Sequence, residues 1–421
     1  MFKKVVLDNG VRVVLERMSS LKSIAIGIWT NVGSRDESIS ESGYSHFIEH
    51  MMFKGTKRRS ASQISNEIDV LGGEMNAFTT HEATAFYVKV LDQHVGHALD
   101  LLADLFHQSR FSSTEIQKEK QVILEEIRMV KDDPEDLVHE LHAKDVLGTH
   151  PLGRPILGDP DTMTKLRRKD LLRYLRSKYH PEKTVVSIAG NFKLEELLGQ
   201  VNEHFGSWVH ETVSSAGQEV DPWPVNHTPE TRVYRKKLEQ VHLCLGLKGL
   251  PVGHPDRYTA NVLNTILGGG VSSRLFQQLR EKRGLAYTIY SHLSSFSDGG
   301  LLTIYAATRS DATEQVISLI GKEIKKLSRR GVTKTELERT KTQLTGNLML
   351  GLEGTYGRMN KLAKNELYQG RYVSLQEMIR EIEDISLADI YDVSKQLLDL
   401  EGLVVTALGP VPKEHSLHDV Q

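Results

Sequence analysis

The chain has 421 residues, 39% of them hydrophobic and 26% charged, with a formal net charge of −2. That is the composition of a globular protein long enough for two domains of about 200 residues each, and the near-neutral balance gives no bulk reason to bind nucleic acid or an anionic membrane. A single cysteine, Cys244, excludes an internal disulfide framework, and no run of 18 apolar residues could span a bilayer.

The opening stretch MFKKVVLDNGVRVVLERM is interrupted by DNG and ER too early for a signal peptide, so a cytoplasmic location is expected. SIAIGIWT then alternates as a strand, with Ile24, Ile26 and Ile28 on one face. A helix is predicted over 42–54, stopped near Gly55. NAFTT, residues 76–80, reads as extended. A second helix over 113–131 carries Ile116, Ile123, Ile127 and Val130 on its inward face, with Ser112 and Glu115 at capping-box spacing. DDPEDLVHE opens a further helix after Pro134, with an acidic face; His139 and His142 are expected at the surface. QVHLCLGLK places Val241, Leu243, Leu245 and Leu247 on one strand face, with Cys244 as a small buried hydrophobe. The glycines of LGGG, 267–270, make a tight or mobile connection; without a following Lys-Ser/Thr they are no phosphate loop.

Several of these segments occur twice. FSSTEIQKEKQVILEEI (111–127) parallels GVTKTELERTKTQLTGNL (331–348), and the segment 166–192 parallels 385–411. The polar, aperiodic stretch 210–230 separates the copies. The expectation is a duplicated α+β protein: domain 1–210, a linker 211–230, and domain 231–421. Each domain would be an antiparallel sheet with helices packed on one face.

One cluster carries chemistry. SHFIEHMMFKGT holds His46 and His50 four apart, so both rings leave one face of the helix at a spacing that suits a single Zn²⁺. Glu49 lies beside the pair, and H-x-x-E-H is the reverse of the H-E-x-x-H zinc-protease pattern. A third ligand is needed. Carboxylates on the apolar face of helix 113–131, among them Glu119 and Glu126, are costly there unless paired or metal-bound. Spacing alone does not separate Glu126 from Glu125.

These motifs, together with LGGEMNAFTTHEATAFYVKV, EIQKEKQVILEEI, HPLGRPILG and SSRLFQQLREKRGLAYTIYS, are similar to those of the M16 (pitrilysin) zinc metallopeptidases. The resemblance covers nearly the whole chain and is to the short two-domain branch, which includes bacterial processing proteases and the mitochondrial processing peptidase β subunit. It implies the fold shared by LuxS and the processing peptidases, and one Zn²⁺ per chain on His46, His50 and Glu126. Glu49 would be the general base, and Glu119, seven before the third ligand, would orient or charge-balance a ligand. It implies a peptide substrate bound as an added β-strand at Asn76 and Ala77, with Glu82 near the ligands. Arg280 and Tyr287 would hydrogen-bond the substrate, Phe53 would line the pocket for the residue after the cut, and Asp136 and Glu140 would receive a basic side chain. It also implies a homodimer enclosing a chamber. His81, beside Glu82, is expected to be a solvated strand histidine. In the second copy Asn347 and Thr340 stand opposite Glu126 and Glu119, so only one metal site is expected. The competing expectation is a non-catalytic structural relative, which predicts a broken metal motif.

Overall fold

The computed structural model describes residues 1–209, 223 and 230–411. The linker expected at 211–230 falls outside the described residues except for Trp223 and Glu230. The strands are β1 (Phe2–Val6), β2 (Arg12–Arg17), β3 (Ser23–Thr30), β4 (Glu74–Thr79), β5 (Thr84–Leu91), β6 (Thr184–Gly190), β7 (Glu230–Tyr234), β8 (Val241–Gly249), β9 (Ala286–Ser295), β10 (Gly300–Thr308) and β11 (Val404–Leu408). The α-helices are α1 (Tyr44–Met52), α2 (Ala61–Val70), α3 (Val95–Gln108), α4 (Ser113–Asp132), α5 (Pro134–Leu147), α6 (Pro160–Lys165), α7 (Arg168–Lys178), α8 (Leu194–Phe205), α9 (Arg257–Gly268), α10 (Thr313–Arg330), α11 (Lys334–Gly351), α12 (Thr355–Gln369), α13 (Leu375–Glu383) and α14 (Leu387–Leu397). None is long and apolar enough to cross a membrane.

The chain is α+β and forms two compact units, each on one sheet. In the first unit the strand order is β1-β2-β6-β3-β5-β4. Ile24, Ile26 and Ile28 of β3 enter a core shared with Phe47 and Met51 of α1, Leu99 and Leu102 of α3, and Ile116, Ile123 and Ile127 of α4. The second face of this sheet is also covered, by α12: Ala25 and Trp29 of β3 pack with Met359, Leu362 and Ala363. Small strand residues permit that approach, since a Cβ on Gly27 would stand 2.5 Å from Met359 Sδ.

The second unit repeats the plan with the order β7-β11-β8-β10-β9. Leu243, Leu245 and Leu247 join a core with α9, α10 and α14 residues such as Leu263, Ile320 and Ile390. On the other face Cys244 packs with Val138 of α5, and a Cβ on Gly246 would meet the His142 ring at 2.4 Å.

Three details differ from the sequence expectation. Each sheet contains one parallel pair, β2–β6 and β7–β11. Each second face carries a helix rather than solvent. And the compact units cross the sequence halves: α5 belongs to the second unit and α12 to the first. The docking of α5 also corrects the surface reading of two histidines. His142 is 1% exposed with Nδ1 3.0 Å from Thr406 Oγ1, and His139 Nε2 lies 3.0 Å from the Tyr290 hydroxyl.

The N-cap hydrogen bond is present in both copies, and the second completes the reciprocal box, with Thr333 N–H donating to Glu336 Oε2 at 2.8 Å. Glu115 N–H donates to Ser112 Oγ and Glu336 N–H to Thr333 Oγ1. In the second unit Glu336 also takes a two-pronged contact from Arg274 at 2.7 and 2.9 Å. Burial alone would raise its carboxyl, but the guanidinium and the Thr333 N–H outweigh it and hold the pKa down at about 2, below the ordinary 4.5. A depressed acid stabilises the fold above its unfolded pKa and loses that contribution as pH falls through the folded one. Glu336→Gln is therefore expected to cost about 2–3 kcal/mol at neutral pH. The gap to the wild type should close towards pH 2, as read by denaturant melts across pH.

Candidate metal centre

The ligand helix α1 is defined at both ends. Gly43, at φ 88°, turns the chain into it, and both Glu37 carboxylate oxygens accept backbone N–H groups at its start, from Gly43 and Ser45 at 2.7 Å each. Gly55, at φ 104°, turns the chain away just past its end. The buried face of α1, with Phe47, Ile48 and Met51, is fixed in the core. That anchoring aims His46 and His50 together, with ring centroids 4.4 Å apart.

The neighbouring helix α4 supplies the carboxylates. Glu126 Oε2 lies 3.9 Å from His46 Nε2 and 3.8 Å from His50 Nε2. One ligand atom from each of the three residues falls within 4.8 Å of the others, and this is the sole such group among the described residues. Tetrahedral bonds of roughly 2.0–2.2 Å to one Zn²⁺ would set ligand atoms about 3.4 Å apart, so the 3.8 and 3.9 Å carboxylate–imidazole spacings need to close only slightly to hold it. Glu125, which spacing could not separate from Glu126, instead forms an ion pair with Arg128.

The nitrogens fit the same set. His50 Nδ1 lies 2.8 Å from Glu119 Oε1, which fixes the ring and leaves Nε2 turned to Glu126. Glu119, 3% exposed, is itself held by Lys54 Nζ at 2.7 Å. Burial and the neighbouring His50 push the His46 pKa down to about 3, so its imidazole is neutral, as a ligand must be. Its buried Nδ1 has no hydrogen-bond partner among the described residues.

Glu49 is beside the ligands but outside the set. Burial raises its carboxyl, opposed by a hydrogen bond from Thr79 Oγ1 to Oε2 at 2.6 Å. Thr79 ends β4, the terminal strand of its sheet, which pairs with β5 on one side through Asn76↔Tyr87 and Ala77↔Phe86. The Ala77 N–H donates to Asn76 Oδ1 at 2.8 Å.

The other expected residues are placed as follows. Phe53 caps α1 and packs against the core, its ring 6.2 Å from Phe86. Glu82 is buried and ion-paired with Arg35. His81 lies in the bend before β5 rather than on a strand, and is half-buried: its Nδ1 meets Ser34 Oγ at 2.8 Å, and burial, then Arg35, lower its pKa to about 4. Arg280 and Tyr287 belong to the second unit, where the guanidinium lies 4.7 Å from the Tyr287 ring centre and 4.8 Å from that of Phe276. Asp136 and Glu140 share α5 in that unit; burial raises both carboxyls, with Asp133 and Glu135 adding to the rise at Asp136 and Asp136 adding to that at Glu140. Thr340 is buried in α11, and no metal-ligand group forms there among the described residues. Two contributors were missed in the sequence. Lys54 sits four residues beyond His50, a legible helical spacing, whereas nothing local marks Thr79 as a partner of Glu49.

Comparison with known proteins gives matches along nearly the whole chain. Residues 12–160 match the family described as Insulinase (Peptidase family M16), and residues 165–344 match the Peptidase M16 inactive domain. The uncharacterized zinc protease YmxG of Bacillus subtilis is 44% identical over 414 residues, covering 98% of this chain and 100% of that protein. An uncharacterized zinc protease of Streptomyces coelicolor is 38% identical, over 99% of this chain and 92% of its own. Among solved structures, a protease from Helicobacter pylori shares the fold with a TM-score of 0.91 at 23% identity, covering 97% of this chain and 99% of that one. A chain of Complex III2 from Candida albicans does so with a TM-score of 0.81 at 21% identity, covering 97% and 95%.

Proposed function

The chain belongs to peptidase family M16, and from that premise we propose that it is a zinc-dependent endopeptidase using His46, His50 and Glu126 as ligands. The observation that carries the reading is a three-ligand cluster with a further carboxylate, Glu49, adjacent and uncommitted to it. Structural zinc closes its shell with four protein ligands, whereas catalytic zinc takes three. A zinc ion bound there would supply Lewis acidity toward the scissile carbonyl and toward water.

The remaining chemistry belongs to side chains. Glu49 takes the proton of the attacking water and returns it to the leaving amine. Glu119 fixes His50 through Nδ1. The free edge of β4 accepts the peptide backbone as an added strand around Asn76 and Ala77, a mode that tolerates many side chains. Phe53 lines the pocket for the residue after the cut, and Glu82 supports the ligand region. Asp136 and Glu140 receive a basic side chain, whose charge relieves their repulsion. Arg280 and Tyr287 hydrogen-bond the substrate, in a homodimer that encloses it. The non-catalytic alternative predicts a damaged motif, and all three ligands and Glu49 are present.

The test is hydrolysis of an internally quenched peptide library by purified protein. Activity is expected, with near-complete loss on adding a chelator and recovery on restoring Zn²⁺. Hydrolysis indifferent to the chelator, or none across the library, contradicts the proposal.

A further inference from the structure

The general base of this site has to be placed apart from the ligands. Glu49 shares α1 with His46 and His50, yet no residue of that helix hydrogen-bonds its carboxylate among the described residues. The contact it makes is with β4: Thr79 Oγ1 donates to Oε2 at 2.6 Å. β4 is also a terminal strand of its sheet, paired among the described residues only with β5, and Thr79 closes its register opposite Thr84. We propose that Thr79 is a positioning residue that ties the base to the peptide-binding strand. This inference rests on the peptidase reading above.

The physical case has three parts. A carboxylate on a flexible glutamate stem rotates unless one oxygen is engaged. Thr79 engages Oε2, leaving Oε1 to face the reacting water. Threonine suits the task because its branched Cβ restricts χ1, so the hydroxyl direction is set by the strand backbone. A peptide added to β4 takes its register from that same backbone. Base and scissile bond are thus referenced to one strand, and the geometry that proton transfer needs survives small shifts of α1. The plainer role, a hydroxyl that only fills space between α1 and β4, would be served as well by a valine of the same shape.

That difference makes the test. Steady-state kinetics on one quenched peptide should be measured for Thr79→Val, Thr79→Ser and Glu49→Gln, with zinc content and Tm for each. Thr79→Val is expected to lose roughly tenfold in kcat, with KM and zinc content unchanged, because the base is present but misplaced. Thr79→Ser should return most of the lost kcat, as it restores the donor while removing a methyl group. Full kcat in Thr79→Val beside an inactive Glu49→Gln overturns the inference and leaves the peptidase reading intact. Failure of serine to rescue, or a loss confined to KM or zinc content, overturns it as well. An active Glu49→Gln removes the peptidase reading, and the inference falls with it.

Discussion

Glu49→Gln is expected to lower kcat by roughly 10²- to 10⁴-fold, the range for removal of a general acid–base group, while the protein keeps its full zinc content. The expectation follows from the separation of roles at the site. His46, His50 and Glu126 bring their ligand atoms within 4.8 Å of one another, and Glu49 is not among them. Glutamine preserves the length and shape of the side chain and can still accept from Thr79. It cannot take a proton from water. Side-by-side measurement of kcat and of zinc by elemental analysis checks this. Loss of zinc together with activity would make Glu49 a ligand, and retained activity would leave the site without its base.

The second large effect is the converse. His50→Ala is expected to abolish both zinc binding and hydrolysis. Two ligands remain, and the Glu119 carboxylate, 2.8 Å from His50 Nδ1 in the wild type, is left holding only Lys54. Glu119→Gln should be milder, since outer partners of metal ligands typically change affinity by about 10- to 100-fold. Thermal melts give a second readout. A metal that binds only the folded state raises Tm by mass action, so the wild type should lose stability on chelation and His50→Ala should not respond. A chelator-sensitive melt in His50→Ala would put the bound ion elsewhere.

Local pattern carried much of this site. The i,i+4 histidines required a helix, and 42–54 was observed as Tyr44–Met52; the helix expected over 113–131 runs Ser113–Asp132. Alternation in β3 and β8 identified the residues that enter the two main cores. What local pattern could not decide was which of two adjacent glutamates turns inward. Glu126 meets the histidines while Glu125 pairs with Arg128, a choice made by how α4 rolls against α1. Spacing in the resembling family chose Glu126 where periodicity did not.

The errors share a cause in non-local packing. Each sheet was expected to carry helices on one face only, although Cys244 itself was expected to be buried; the other face holds Ala25 and Gly27 in β3, and Cys244 and Gly246 in β8. Their small size instead admits a helix, α12 on one sheet and α5 on the other. His139 and His142 follow an acidic run and read as solvated, yet α5 presses them toward the second sheet. His81 was misjudged similarly, since its partner Ser34 lies 47 residues away in sequence. Thr79 and Glu49 are 30 apart, beyond any helical or strand period.

The central claim is one zinc ion on His46, His50 and Glu126. Anomalous diffraction from crystals of the purified protein, collected on both sides of the zinc absorption edge, tests it most directly. The expected result is a single strong peak per chain, roughly 2.0–2.2 Å from His46 Nε2, His50 Nε2 and a Glu126 carboxylate oxygen. A zinc-loaded, active protein whose peak lies at other residues, or which shows none between these three, would contradict the account.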